Sequence, residues 1–243
     1  MRVTADVSEA DHPAGHTSAS SIRAVAALED ELRRGMFEYI RHAPRPVTRD
    51  EAGASVGISR KLAAFHLDKL VSAGVLRAEY HAVGTRKVGR TPKVYAPAGR
   101  DIRVSIPPRQ HDVLAGILLD AVLTAGQNES ARAAAMRAAA EHGRRLGTRQ
   151  RIRLRPGRLG AERGLTAATE ILDRHGFEPA RTAPTCIRLR NCPFHPLAGR
   201  APELVCGLNL AFLDGVLDGL EATGAEAVLD PRPGECCVEL RQA

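Results

Sequence analysis

The chain has 243 residues, 44% of them hydrophobic and 26% charged, enough apolar content for one large or two ordinary domains and too much for a disordered chain. No apolar run approaches the roughly 18 residues of a membrane span, and the polar N-terminus lacks the apolar centre of a secretion signal, so a soluble, cytoplasmic protein with no membrane partner is expected. Tryptophan is absent and aromatic residues are 3%, which argues against stacking platforms for single-stranded nucleic acid.

The net charge of +7 is unevenly spread. Residues 45–93 hold ten Lys/Arg against four Asp/Glu, residues 132–163 ten Arg against two Glu, and residues 201–243 two Arg against eight Asp/Glu. A basic front and an acidic tail point to a polyanion partner for the front; the plain alternative is a set of solvated arginine-rich faces.

In chain order, residues 1–22 read as a flexible tail. Leu28, Leu32, Met36 and Ile40 then recur every four residues as one helix stripe, which Pro44 and Pro46 stop. Thr48-Arg49-Asp50-Glu51 fits a capping box for a second, short helix that Gly57 ends. Ser59 is placed to cap a third helix, RKLAAFHLDKLVSAG, with Ala63, Leu67 and Leu70 inward and Gly74 as its stop. VLRAEYHAV alternates as a strand, GTRKVGRT is a basic turn, and PKVYAP returns. Three helices followed by a basic hairpin is the order of a winged helix-turn-helix, placed here at 23–96. Three prolines mark residues 97–109 as a linker.

Beyond the linker, HDVLAGILLDAVLTAG is apolar on nearly every face and is expected to be buried, with a subunit interface as its natural place. Asn128 or Ser130 caps the next helix, and the Arg-rich segment 149–163 reads as an exposed loop. GLTAATEILDRHGF is a further helix. The tail reads as ββαββ: EPARTA, TCIRLR, the helix PELVCGLNLAFLDGVLDGL, AEAVLD and ECCVEL. The expected fold is therefore α+β: an N-terminal winged helix-turn-helix (23–96) plus a C-terminal α/β sensor-dimerisation domain (110–243) with the ββαββ tail.

The third helix would lie in a DNA major groove with its N-terminal turn nearest the base edges. Ser59, Arg60 and Lys61 sit on that turn, and His66 and Lys69 lie further along. Arg86, Lys87, Arg90 and Lys93 decorate the wing, where phosphate contact is natural. A winged helix used only for protein contacts is the bland alternative, and for His66 it is a side chain satisfied within the helix packing.

All five cysteines, Cys186, Cys192, Cys206, Cys236 and Cys237, lie in the last quarter. In a reducing cytosol that clustering argues for metal, cluster or redox chemistry over structural disulfides. Three stretches, VTRDEAGASVGISRKLAAFHLDKLVSAGVL, the wing GRTPKVY, and the tail NCPFHPLAG with PELVCGLNLAFLDGVLDGL and GECCVEL, together resemble the Suf-operon repressor family within the arsenic-repressor-like winged-helix superfamily. The resemblance implies a dimeric DNA-binding repressor governed by an iron–sulfur cluster on the tail cysteines. Cys192 and Cys206 match the family's first two cysteines with one extra residue between them. Cys237 matches the fourth, with Cys236 as rival. The third position falls at Leu220, which cannot ligate, so a cluster would need a substitute from Cys236, Cys186, His195, Asp218 or Glu221, or would leave one iron open.

Zinc is the competing cofactor, because Cys192 and His195 stand three residues apart, a ligand spacing that Cys206 and Cys236 or Cys237 would complete. A thiol redox switch at the vicinal Cys236-Cys237 is a third reading, and packing without a ligand a fourth. Cys186 fits none of the matched spacings and reads as packing. No phosphate loop, HExxH pair or nucleophile elbow appears, so an enzyme is not expected. A thiol enzyme using Cys192 and His195 is the remote alternative.

Overall fold

A computed structural model describes residues 19–80, 92–155 and 157–243. The chain mixes helix and strand, an α+β arrangement, and its described residues fall into two compact units that divide between Val104 and Ser105.

The first unit runs α1 (Ala19–Ala27), α2 (Glu31–His42), β1 (Val47–Thr48), α3 (Arg49–Ser55), α4 (Arg60–Ser72), β2 (Leu76–Tyr80) and β3 (Lys93–Pro97). Local chemistry explains most of these ends. Asp30 accepts from the Arg33 N–H and caps α2. Thr48 and Glu51 form the reciprocal capping box at α3: the Glu51 N–H donates to Thr48 Oγ1 at 3.3 Å, and the Thr48 N–H donates to the Glu51 carboxylate at 2.7 Å. Ser59 caps α4, and Gly57 and Gly74 take the left-handed conformation at the helix ends. Met36, Ile40, Ala63, Leu67, Leu70 and Tyr95 share one core.

Two elements of this unit differ from expectation. Residues 19–22 belong to α1, whose Ala24 is buried, and only residues 1–18 of the expected tail lie outside the described residues. The two-residue strand β1 pairs antiparallel with β3 (Val47↔Tyr95), making a sheet of order β1-β3-β2. Pro44 and Pro46 mark the helix stop but also lead into this edge strand, where proline is tolerated.

The second unit runs α5 (His111–Thr124), α6 (Ala131–Leu154), β4 (Leu159–Gly160), α7 (Ala161–Arg174), β5 (Pro179–Ala183), β6 (Cys186–Leu189), α8 (Leu197–Arg200), α9 (Pro202–Leu220), β7 (Ala222–Thr223), β8 (Ala225–Leu229) and β9 (Val238–Gln242). Four antiparallel strands form a sheet of order β5-β6-β9-β8, and β4 pairs parallel with β7. The segment expected as a linker is anchored at both ends, within the unit on each side. The Ala98 N–H donates to the Val75 carbonyl at 3.1 Å, and the Gln110 N–H donates to the Pro193 carbonyl at 2.9 Å.

The expected loop 149–163 is a correction: α6 continues through Leu154 and stops at Arg155, which is left-handed (φ 45°). Its arginines, Gln150, Ile152 and Leu154 are good or adequate helix formers, and its glycines are contact points, not breaks. Gly143 and Gly147 on α6 face Gly215 and Gly219 on α9. A Cβ added at Gly143 would overlap the Phe212 carbonyl, and one at Gly215 the Ala140 carbonyl. Bare backbone therefore meets bare backbone, and this fixes α9 against α6. Gly215→Ala is expected to cost about 1–3 kcal/mol through overpacking; a denaturant midpoint equal to that of the wild type would show that the helices stand further apart.

Helix α5 buries Leu114, Ile117 and Ala121 but exposes Leu119 (59%), Val122 (75%) and Leu123 (72%). Within its own chain α5 is therefore half-buried, with an apolar outer face. Among the described residues no helix is long and apolar enough to cross a membrane.

Candidate functional site

Helix α4 presents Arg60, Lys61 and Lys69 outward, while Ala63, Leu67 and Leu70 are buried. Ser59 is exposed but engaged, because its Oγ accepts from the Leu62 N–H at 3.4 Å. Arg60 stands 3.4 Å from Asp50 in an exposed pair that contributes little and that a stronger anion can displace. Lys61 has no ion-pair partner among the described residues. Lys69 lies over the exposed Phe65 ring, 5.6 Å from its centroid.

Two expected contacts are corrected. His66 is buried, 7% exposed, with Nδ1 3.8 Å from the Asp30 carboxylate at the start of α2. It follows Ala63 by three residues and so falls on the inner face. Lys93 belongs to β3, where its ammonium donates to Asp68 at 2.8 Å and lies 5.4 Å from the Tyr95 ring centroid. That bond to Asp68 holds the lysine above its ordinary value, against the opposing effect of burial. Arg86, Lys87 and Arg90 lie outside the described residues.

In the second unit, three segments bring four thiols together. Cys192 sits in the loop after β6, Cys206 in the second turn of α9, and Cys236 with Cys237 just before β9. Cys236 lies near enough to Cys192 and Cys237 for their acidities to depend on one another, as do Cys237 and Cys206, so the four thiols are neighbours. The alternation expected through ECCVEL breaks at the bend at Cys237, which is why both vicinal cysteines reach the site. Backbone bonds hold them there: the Cys236 N–H donates to the Leu189 carbonyl at 2.8 Å, and the Asp230 N–H donates to the Cys237 carbonyl at 2.9 Å.

The group of thiols is electrically uneven. The donating Cys236 thiol lowers Cys237 to about 6 against the effect of burial, with further help from Cys206 and Asn209. Cys236 also lowers Cys192, which the Phe194 and His195 backbone N–H groups assist. Cys236 itself is pushed up by its bonds to Cys192 and Cys237. Burial and the bond to Cys237 push Cys206 up to about 12. A helix N-terminus favours a thiolate, but the place of Cys206 in the second turn of α9 leaves desolvation dominant.

Leu220 stands apart from the thiols. That residue is fully buried at the far end of α9, ~21 Å of helix rise from Cys206, and Cys236 takes its place among the thiols. His195 is exposed, and its carbonyl accepts from His111 Nε2 at 3.0 Å. Among the described residues no hydrogen bond joins its ring to the thiols. Cys186 stands apart, accepting from Thr182 Oγ1 at 3.1 Å.

By donor chemistry four thiol sulfurs fit a thiophilic group such as an iron–sulfur cluster. As they stand, among the described residues no three or more His, Cys, Asp or Glu side chains form a metal-holding group.

Two supporting residues escaped sequence reasoning. Asn209, wholly buried within α9, donates from Nδ2 to Cys236 Sγ at 2.9 Å, and its Oδ1 has no partner among the described residues. A buried amide on an otherwise apolar helix face was the signal. Arg188 on β6, its side chain 5% exposed, is bonded to Asp230, to Glu235 at 2.9 Å and to Glu239 at 2.7 Å, tying down the turn that carries Cys236 and Cys237.

Comparison with known protein families, with curated proteins and with solved structures returned no match for this chain.

Proposed function

We propose that this protein is a dimeric, DNA-binding transcriptional regulator, a repressor by its resemblance, whose grip on duplex DNA is set by an iron–sulfur cluster held on Cys192, Cys206, Cys236 and Cys237. The observation that carries the reading is the meeting of four thiols from three distant segments in a chain whose other unit has the element order of a winged helix-turn-helix. The sheet order β1-β3-β2 and the outward Arg60, Lys61 and Lys69 on a capped helix support the DNA-binding half. The exposed Leu119, Val122 and Leu123 of α5 support pairing of two copies, which two-fold related half-sites require.

When bound, the cluster would supply thiophilic iron sites, which the thiolates of Cys192, Cys206, Cys236 and Cys237 would hold. The residues of this chain do the rest. Cys192 and Cys237 offer the readier thiolates; Cys206 and Cys236 lose their protons on ligation, so loading is favoured by rising pH. Ligation would draw the loop, α9 and the segment before β9 together, favouring one spacing of the paired recognition helices. A thiol redox switch is the second reading, favoured by the neighbouring pairs Cys192 with Cys236 and Cys206 with Cys237.

The deciding experiment is iron and sulfide analysis of protein purified without oxygen, with duplex affinity titrated before and after chelation. Iron and sulfide in near-equal amounts, with affinity that changes on their removal, support the proposal. Thiols that carry neither and join as disulfides on oxidation support the second reading instead. Within the DNA-binding half, Arg60→Ala and Lys61→Ala are each expected to weaken binding to a selected duplex by about 1–3 kcal/mol if they reach guanine. Unchanged affinity in both would remove them from the interface.

A further inference from the structure

Helix α6 ends in an arginine-dense surface that the proposed reading leaves without a role. Residues 144–163 contain eight arginines and one acid, Glu162. Part of this charge is spent inside the unit. Arg144 pairs with Glu141 and Asp218, Arg145 with Asp120, and Arg151 with Glu221 while donating to the Leu220 carbonyl at 2.9 Å. These contacts suffice to hold the end of α6 against α9.

Arg153, Arg155 and Arg158 differ. All are exposed, and among the described residues their guanidinium groups reach no carboxylate and cap no carbonyl. Complementing the C-terminal dipole of α6 accounts for a charge in the last turn, but Arg155 and Arg158 lie past it. The groove of about 510 Å³ beside them is walled by Arg144, Arg151 and Arg155 and also by Asp218 and Glu221. Its acids pair with its own cations, so the unspent charge lies on the outer face.

We propose that Arg153, Arg155 and Arg158 form a second DNA contact, one that takes the phosphate backbone of a duplex without reading its sequence. The inference rests on the DNA-binding reading and extends it to the other unit. Three features select the partner. The cations here are all arginine, whose planar fork matches phosphate oxygens in pairs. No aromatic residue lies within 144–163, so bases have nothing to stack on and a duplex is favoured over a single strand. The basic first unit, net +6 over residues 45–93, has the same sign, so both surfaces suit one polyanion.

The test uses the full chain carrying Arg153→Gln, Arg155→Gln and Arg158→Gln together, with a duplex of random sequence and a duplex selected for tight binding as probes. Each phosphate contact contributes roughly 0.9 to the slope of log affinity against log salt, so the slope should shrink by about 2.7 on both duplexes with their affinity ratio kept. An unchanged slope overturns the inference and leaves the recognition helix untouched. So does a triple variant that keeps its DNA binding but loses affinity for an acidic protein or for a second copy of the chain. If the wild-type chain binds both duplexes equally, the sequence-specific reading falls while the triple variant still decides the backbone contact. If it binds neither, both fall.

Discussion

Serine at both Cys192 and Cys206 is expected to abolish the link between iron loading and duplex affinity. The two residues come from different segments, the loop after β6 and the second turn of α9, and each meets the vicinal pair: Cys192 through Cys236, Cys206 through Cys237. Removing both leaves only Cys236 and Cys237, neighbours on one stretch of backbone, which cannot draw separate elements together. Coupling between two sites is typically 1–3 kcal/mol, so loaded and chelated wild-type protein should differ about 5–150-fold in affinity. For the double variant the ratio should fall to one. Cys186→Ser is the control, because the Cys186 thiol bonds with Thr182, away from the other four, and its loss should leave both iron content and coupling as they were. A double variant that still loads iron and still shows the wild-type ratio would take these two thiols out of the site.

Replacing Arg188 with Met is expected to cost about 3–5 kcal/mol, the penalty for stranding buried charge. The guanidinium stands among three carboxylates, of which Glu239 is itself buried. Burial works against its charge, but the bonds to Glu239, Glu235 and Asp230 outweigh that and raise its value. The same bond holds Asp230 below its ordinary value of 3.8. A carboxylate lowered in the folded state stabilises it fully above its unfolded value, and that help is lost as acid brings the pH down through the folded value. The wild type should therefore lose stability below about pH 4 through this group, and Arg188→Met should flatten that part of the profile. Hydrogen exchange at β6 and β9 would follow the loss locally, and faster alkylation of Cys236 and Cys237 would report the loosened turn. Adding Glu239→Leu should restore part of the stability, since the stranded buried carboxylate is then gone. Stability within about 0.5 kcal/mol of wild type in Arg188→Met would mean that the cluster is solvated and holds nothing.

The legible parts of this molecule are those governed by neighbours in sequence. The Thr48–Glu51 capping box, the Ser59 cap and the left-handed Gly57 and Gly74 each depend on hydrogen bonds or backbone freedom within about four residues. They were readable as printed letters, and so was the inward stripe Ala63, Leu67 and Leu70. His66 was misplaced because a helical wheel tells which residues share a face, not where that face ends; α2 and its Asp30 cover one residue more than the stripe implied. Charge hid the continuation of α6. The part played by Gly143 and Gly147 became visible only with α9, whose backbone meets them.

Composition, periodicity and capping alone determined two basic regions, an α+β chain and a group of thiols confined to the last quarter, because each rests on residue type and short spacing. Only the folded chain could decide that Cys236 and not residue 220 joins the other sulfurs, that His195 stays outside, and that Asn209 and Arg188 serve the site. Those outcomes depend on how closely two helices approach, on where a strand begins, and on side chains dozens of residues apart arriving at one place, none of which is written in the spacing of nearby letters.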